Sequence, residues 1–248
     1  MDKILGIKID NLKKKEILEK IESFLSNEHF YQIATINPEF ILEAQKNKEF
    51  KNILNNCDLN IADGMGVKLA FWRHGKSLKC RMTGIDLMLK ILEIANKKQL
   101  GIFLIANKNG LSTWEETAEA IKTKFPNINI EGENINCHSC ESRNPVSNSK
   151  VSTLDSRLRG NDRDLIIFCN FGAPYQEIFL NSLKNDTIGL AMGVGGSFDF
   201  LTEKIKRAPR WMCQLGLEWF WRLLLQPQRW KRIFNAVVIF PIKIILNK

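Results

Sequence analysis

Long apolar runs are what this sequence most lacks. None approaches the roughly 18–20 residues needed to span a bilayer, and the best candidate, Ile233 to Leu246, is interrupted by Asn235, Pro241 and Lys243. Met1-Asp2-Lys3 is followed by a short alternating stretch rather than an apolar signal core, so no secretory leader is expected. Without one, the six scattered cysteines are expected as reduced thiols in a cytosol. Histidine is also scarce, with only three in 248 residues. Cys137-His138-Ser139-Cys140 has the spacing of half a zinc site, but no second Cys/His pair lies near it. No metal is therefore expected, and His29 and His74 are assigned no role. The full glycine fingerprint of dinucleotide folds is missing too, which argues against a nicotinamide cofactor.

Negative charge is missing from one end. Residues 201–248 hold ten Lys or Arg against two Glu, so the tail carries nearly all of the net charge of +9. A near-neutral body with a basic tail calls for an anionic partner at the tail. With 44% hydrophobic and 25% charged residues, the rest is ordinary globular chain.

Apolar stretches of strand length alternate with helical periodicities. Strands are expected at Ile4–Ile9, Tyr31–Ile36, Asp58–Ala62, Gly101–Ala106, Ile128–Ile130, Leu165–Asn170 and Ile188–Met192. Asn37-Pro38-Glu39 starts a helix expected to run to about Asn55, and Ser112-x-x-Glu115 reads as a capping box. This alternation means α/β: a Rossmann-like, mostly parallel sheet flanked by helices. Residues 1–200 would form that core and 201–248 a basic, Trp/Arg-rich helical appendage. A polar stretch at about 134–163 breaks the pattern and reads as a surface insert.

Ligands of such sheets sit beyond the carboxyl ends of the strands. Four strand ends carry polar or glycine-rich text: Thr35-Ile36-Asn37, Ala62-Asp63-Gly64, Asn170-Phe171-Gly172 and Gly193-Val194-Gly195-Gly196. Asp63, between a strand and a glycine, is either a general base toward a hydroxyl or a turn residue bonding its own backbone. The 193–196 turn is either an anion cradle of backbone amides or a plain tight turn. Gln176 and Glu177 fall at a helix start, where Gln can reach sugar hydroxyls or a uracil edge and Glu favours the dipole. In the tail, four of six tryptophans (Trp211, Trp219, Trp221, Trp230) interleave with Arg210, Arg222, Arg229 and Arg232. That pairing suits a membrane interface, a buried core or dimer face, or single-stranded nucleic acid.

Taken in order, these motifs resemble the WecG/TagA/CpsF family of glycosyltransferases. The matching text is Thr35-Ile36-Asn37-Pro38-Glu39, Ala62-Asp63-Gly64-Met65-Gly66-Val67, Arg81-Met82-Thr83-Gly84-Ile85-Asp86 and Gly172-Ala173-Pro174-Tyr175-Gln176-Glu177. It continues through Gly193 to Phe200, Arg207-Ala208-Pro209, Glu218-Trp219-Phe220-Trp221-Arg222 and Gln226-Pro227-Gln228-Arg229. The resemblance implies metal-independent, inverting transfer of N-acetylmannosamine or its uronic acid from UDP. The implied acceptor is N-acetylglucosamine on undecaprenyl diphosphate. It further implies that Asp63 is the base, that Thr35, Asn37, Arg81 and Gln176 contact substrate, and that Gly193, Gly195 and Gly196 lie at the nucleotide. Arg207, Arg222, Arg229 and Arg232 would meet the lipid diphosphate. The implied setting is the inner face of the cytoplasmic membrane, with self-association through the core and no nucleic-acid partner. One departure stands out: the 134–163 insert replaces a crossover helix, and Leu154 to Asp162 looks like a translated genomic repeat element. An inactive homologue is the alternative this leaves.

Overall fold

The computed structural model describes residues 2–27, 29–137, 165–183 and 188–246. A small antiparallel hairpin comes first, β1 (Asp2–Ile4) and β2 (Ile7–Ile9). It is not the single strand expected there. Leu5 and Gly6 both take positive φ, 47° and 77°, which reverses the chain in two residues.

The core then runs α1 (Lys14–Phe24), β3 (Tyr31–Ile36), α2 (Pro38–Ala44), α3 (Lys48–Asn56), β4 (Leu59–Ala62), α4 (Met65–Arg73) and α5 (Gly84–Lys98). It continues with β5 (Ile102–Asn107), α6 (Trp114–Lys124), β6 (Ile130–Ile135), β7 (Leu165–Cys169), α7 (Tyr175–Ser182), β8 (Ile188–Gly193) and α8 (Ser197–Leu201). Six strands form one parallel sheet in the order β4-β3-β8-β7-β5-β6. Helices cover both faces, so the strands read as continuous apolar runs rather than alternating ones. Within β5, Ile102, Leu104 and Ala106 enter one core cluster while Phe103 and Ile105 enter another, the two-residue period of a strand.

Three local expectations shift. The helix after Asn37 breaks before Asn47, whose side chain accepts from Phe50 N at 3.0 Å and caps a second helix. No Gly or Pro marks that break. The capping box is Thr113 with Glu116, one residue later than expected. Ser112 turns inward instead, with its hydroxyl 2.9 Å from Asp199 Oδ1 and 2.8 Å from Thr202 Oγ1. Ser-Thr followed by Glu-Glu spells the box in two registers, and burial of Ser112 selects one. Strand β6 reaches Ile135, so the start of the supposed insert belongs to the sheet. The remainder, residues 138–163 with Cys140, lies outside the described residues.

The tail forms α9 (Arg210–Leu215), α10 (Glu218–Leu225), a 3-10 turn (Pro227–Arg229), α11 (Trp230–Phe234), a π-helical segment (Asn235–Ile239) and α12 (Phe240–Leu246). Pro241 has no N–H and its ring crowds the preceding turn, which fits a widened π segment just before it. Phe240 and Ile244 are buried in the cluster formed by α2, α3 and α4. Each such side chain contributes about 2 kcal/mol of burial, which anchors the tail's end to the core.

Candidate active site

Pairing in the sheet brings distant motifs together. Strand β3 lies between β4 and β8. Its register sets Ile36 opposite Ala62, so Asn37 and Asp63 leave the sheet side by side, with Asp63 N donating to Ile36 O at 2.8 Å. Across the other edge, Ile33 lies opposite Met192, which brings the glycine turn to the same rim. The tail roofs these strand ends. The result is one cavity of about 860 Å³, and all the site residues that the family resemblance implies line it. Asp63, Thr35, Asn37, Arg81, Gln176, Gly193, Gly195 and Gly196 come from the core, and Arg207, Arg222, Arg229 and Arg232 from the tail.

Asp63 precedes Gly64, whose φ of 84° opens α4. Burial raises its carboxyl to about 7. Glu218 adds to that rise, while Arg81 and the Gly84 N–H oppose it. Among the described residues the Asp63 carboxylate has no ion-pair partner, so it is held for a ligand rather than for a neighbour. Asn37 also does structural work: its Oδ1 caps α2 by accepting from Phe40 N at 3.0 Å. Its amide nitrogen is the part left for substrate. The Thr35 hydroxyl sits against Gly84, where a Cβ would approach to 3.4 Å.

The glycine turn is less of an amide cradle than the sequence suggests. Val194 N bonds Cys169 O at 2.8 Å, Ser197 N bonds Val194 O at 3.1 Å, and Gly195 N bonds Gln176 Oε1 at 3.0 Å. Gly196 N is the amide with no partner among the described residues, and a Cβ on Gly196 would run into the Arg222 guanidinium. Gln176 Oε1 also accepts from Gly172 N at 3.0 Å. Its Nε2 donates to Glu177 Oε1 at 2.7 Å. Gln176 thus ties two strand-end turns together. Glu177, fully buried beneath it in the first turn of α7, has its carboxyl raised to about 8 by that burial. Gly193 must be glycine, because a Cβ there would come within 2.6 Å of Gln176 Cδ. Gly193→Ala is expected to cost about 2 kcal/mol of stability in chemical denaturation and to abolish the thermal shift produced by UDP.

The arginines fall into two groups. Arg207 pairs with Asp86 at 2.7 Å, and Arg81 donates to Cys213 O at 2.9 Å with Glu218 at 3.9 Å. Both serve as fastenings between core and tail. Arg222 is different. Its Nε and Nη2 are buried with no hydrogen-bond partner, and its guanidinium lies 5.2 Å over the Phe200 ring. Arg229 and Arg232 crowd it, and among the described residues Arg232 alone of the three has an ion pair, with Glu39. Burial and then its neighbours Arg222 and Arg232 lower Arg229 to about 10. Buried guanidinium atoms without partners are costly, so Arg222, with Arg229 beside it, can receive an anion. The residues that sequence reasoning passed over are Glu218 and Asp199, both on the cavity wall. Each stands inside a quoted motif, and being one of only two acids in the tail was the signal for Glu218.

The profile described as the Glycosyl transferase WecG/TagA/CpsF family matches residues 2–248. The chain belongs to the WecG/TagA/CpsF family. Curated relatives agree. A Bacillus subtilis (strain 168) protein is 32% identical over 230 residues, covering 92% of this chain and 81% of its own. One from Bacillus spizizenii is 33% identical over 205 residues, covering 82% and 74%. A Staphylococcus aureus (strain NCTC 8325 / PS 47) protein is 30% identical over 246 residues, covering 97% and 91%. All three are named N-acetylglucosaminyldiphosphoundecaprenol N-acetyl-beta-D-mannosaminyltransferase. This WecG/TagA/CpsF member is accordingly a glycosyltransferase. Among the described residues, no group of three or more His, Cys, Asp or Glu could hold a metal. The one Asp-x-Asp sequence, Asp162-Arg163-Asp164, lies outside them.

Proposed function

We propose that this chain transfers N-acetylmannosamine, or its uronic acid, from UDP to N-acetylglucosamine on undecaprenyl diphosphate, with inversion at the anomeric carbon. The Asp63 carboxylate takes the proton of the acceptor hydroxyl. That oxygen bonds the anomeric carbon from one face, and UDP leaves from the other with the electron pair of the broken bond. Charge develops on the diphosphate, and Arg222, Arg229 and the Gly196 N–H supply the compensation. The observation that carries this reading is the shared cavity, with an unpaired carboxylate at one wall and unpaired guanidiniums at another. No metal enters the proposal, because the arginines already provide the charge a departing diphosphate needs. The test is a radiolabel transfer assay with a panel of UDP-sugars and a lipid-diphosphate-N-acetylglucosamine analogue. UDP binding without product from any donor would favour the inactive homologue.

The tail's surface supports peripheral attachment to a membrane carrying such an acceptor. No helix among the described residues is long and apolar enough to cross a bilayer. Trp211, Phe220, Leu224 and Trp230 are nevertheless exposed on the tail. Trp72, 75% exposed, extends this surface from α4, against which α12 packs. Exposed rings beside Lys231 and Lys206 match an interface of anionic headgroups. The arginines that a nucleic-acid reading requires line the cavity instead. The double variant Trp211→Ser/Trp230→Ser should lower co-sedimentation with anionic vesicles severalfold. Its melting temperature should stay unchanged, since both rings are more than half exposed. Undiminished vesicle binding would remove the docking role from this face.

A further inference from the structure

Glu218 opens α10, in the roof of the cavity rather than its floor. Its carboxylate is 3.9 Å from Arg81 Nη1, and Arg81 Nη2 is held at 2.9 Å by the Cys213 carbonyl. Cys213 and Glu218 both belong to the tail, so the tail grips Arg81 at two points. A third contact, Arg207 to Asp86, fastens the same core segment, and Thr83 Oγ1 buttresses Asp86 at 2.7 Å. Segment 81–86 is thus the latch for the tail. It also lies beside Asp63, with Met82 N donating to Ala62 O at 3.0 Å.

We propose that Glu218 is a positioning residue for transfer: the seated tail brings its carboxylate to Arg81, engages that guanidinium, and leaves Asp63 without a fixed ion-pair partner. This inference rests on the assignment of Asp63 as the base. Without the Glu218 carboxylate, the Arg81 guanidinium is left to act on Asp63, whose charge it already favours. A carboxylate paired to arginine is a poorer base. The charges facing Asp63 are Glu218 from the tail, Arg81 and Asp86 from the latch, and Arg222 from the roof. Glu218 itself faces Arg81, Arg207 and the Cys213 thiol. Burial is the largest influence on Asp63, Glu218 the next and in the same direction, and Arg81 opposes both. Removing the Glu218 charge therefore lowers the pH at which Asp63 titrates.

The test is carboxyl-carbon NMR titration of Asp63 in the full-length chain, with the signal assigned by its loss in Asp63→Asn. The wild-type midpoint is expected near 7. Glu218→Gln should move it down by about half a unit or more, and the acid limb of kcat/KM should follow. Made in an Arg81→Gln background, Glu218→Gln should move the midpoint much less than it does in wild type, because the group through which Glu218 acts is gone. A direct effect of the Glu218 charge on Asp63 would instead give the same displacement in both backgrounds. An unmoved midpoint in Glu218→Gln, or an equal displacement by Glu218→Gln with and without Arg81, would overturn the proposal. Because the titration needs no substrate, failure of the glycosyl-transfer reading would show separately, as absent product.

Discussion

Asp63→Asn is expected to reduce transfer about a thousandfold, the usual scale for losing a positioned base. The same variant should fold and bind UDP as before. Asparagine matches the aspartate in shape, and the structure gives the carboxylate no ion pair to lose. The pH profile supplies a second reading. Since burial raises the carboxyl to about 7, the group is protonated below that pH and cannot accept the hydroxyl proton. The acid limb of kcat/KM should therefore fall through about 7, with activity lost as pH drops and retained above it. An unshifted carboxylate would lose activity only near pH 4. Single-turnover measurements across pH 5–9 in constant ionic strength would read both effects. Ordinary turnover by Asp63→Asn would remove the base assignment altogether.

Arg222→Met should separate stability from function in opposite directions. The side chain is half-buried, with Nε and Nη2 fully covered and unbonded and Arg229 and Arg232 close by. Replacing an unpaired buried cation by an apolar chain of similar length removes a desolvation penalty and a repulsion. The unliganded variant should therefore melt no lower than wild type, and higher if the repulsion dominates. Anion binding should behave in the opposite way. The rise in melting temperature caused by UDP or inorganic pyrophosphate should shrink sharply, and transfer should drop about a hundredfold. Differential scanning calorimetry with and without pyrophosphate would read this. A large fall in the unliganded melting temperature with an intact pyrophosphate shift would make Arg222 a structural residue.

Much of this site was legible in the chain because strand ends announce themselves. Asp63-Gly64 and the 193–196 glycines follow apolar runs, and a parallel sheet puts all such ends on one rim. Local pattern alone therefore assigns Asp63 and the distant glycine turn to one cleft. What was hidden is what depends on burial. Ser112 and Thr113 are equivalent as caps until one of them has to face Asp199. Gln176 reads as a substrate ligand, yet its Oε1 is committed to Gly172 and Gly195, a choice only the neighbouring turns make visible. The four tail arginines that line the cavity are chemically alike, and nothing in their spacing says that Arg207 is paired while Arg222 is not.

The amino-acid sequence by itself determined the α/β class, the strand ends that carry chemistry, the basic and aromatic character of the tail, and through its motifs the family. These are properties of local pattern, because periodicity and turn chemistry act over a few residues. Tertiary structure alone decided the sheet order, which sets β3 beside β8. It also decided which arginines lack counter-ions, and that Glu218 meets Arg81 beside Asp63. Charge pairing and desolvation depend on distances through space, and those exist only once the tail has folded back over the strands.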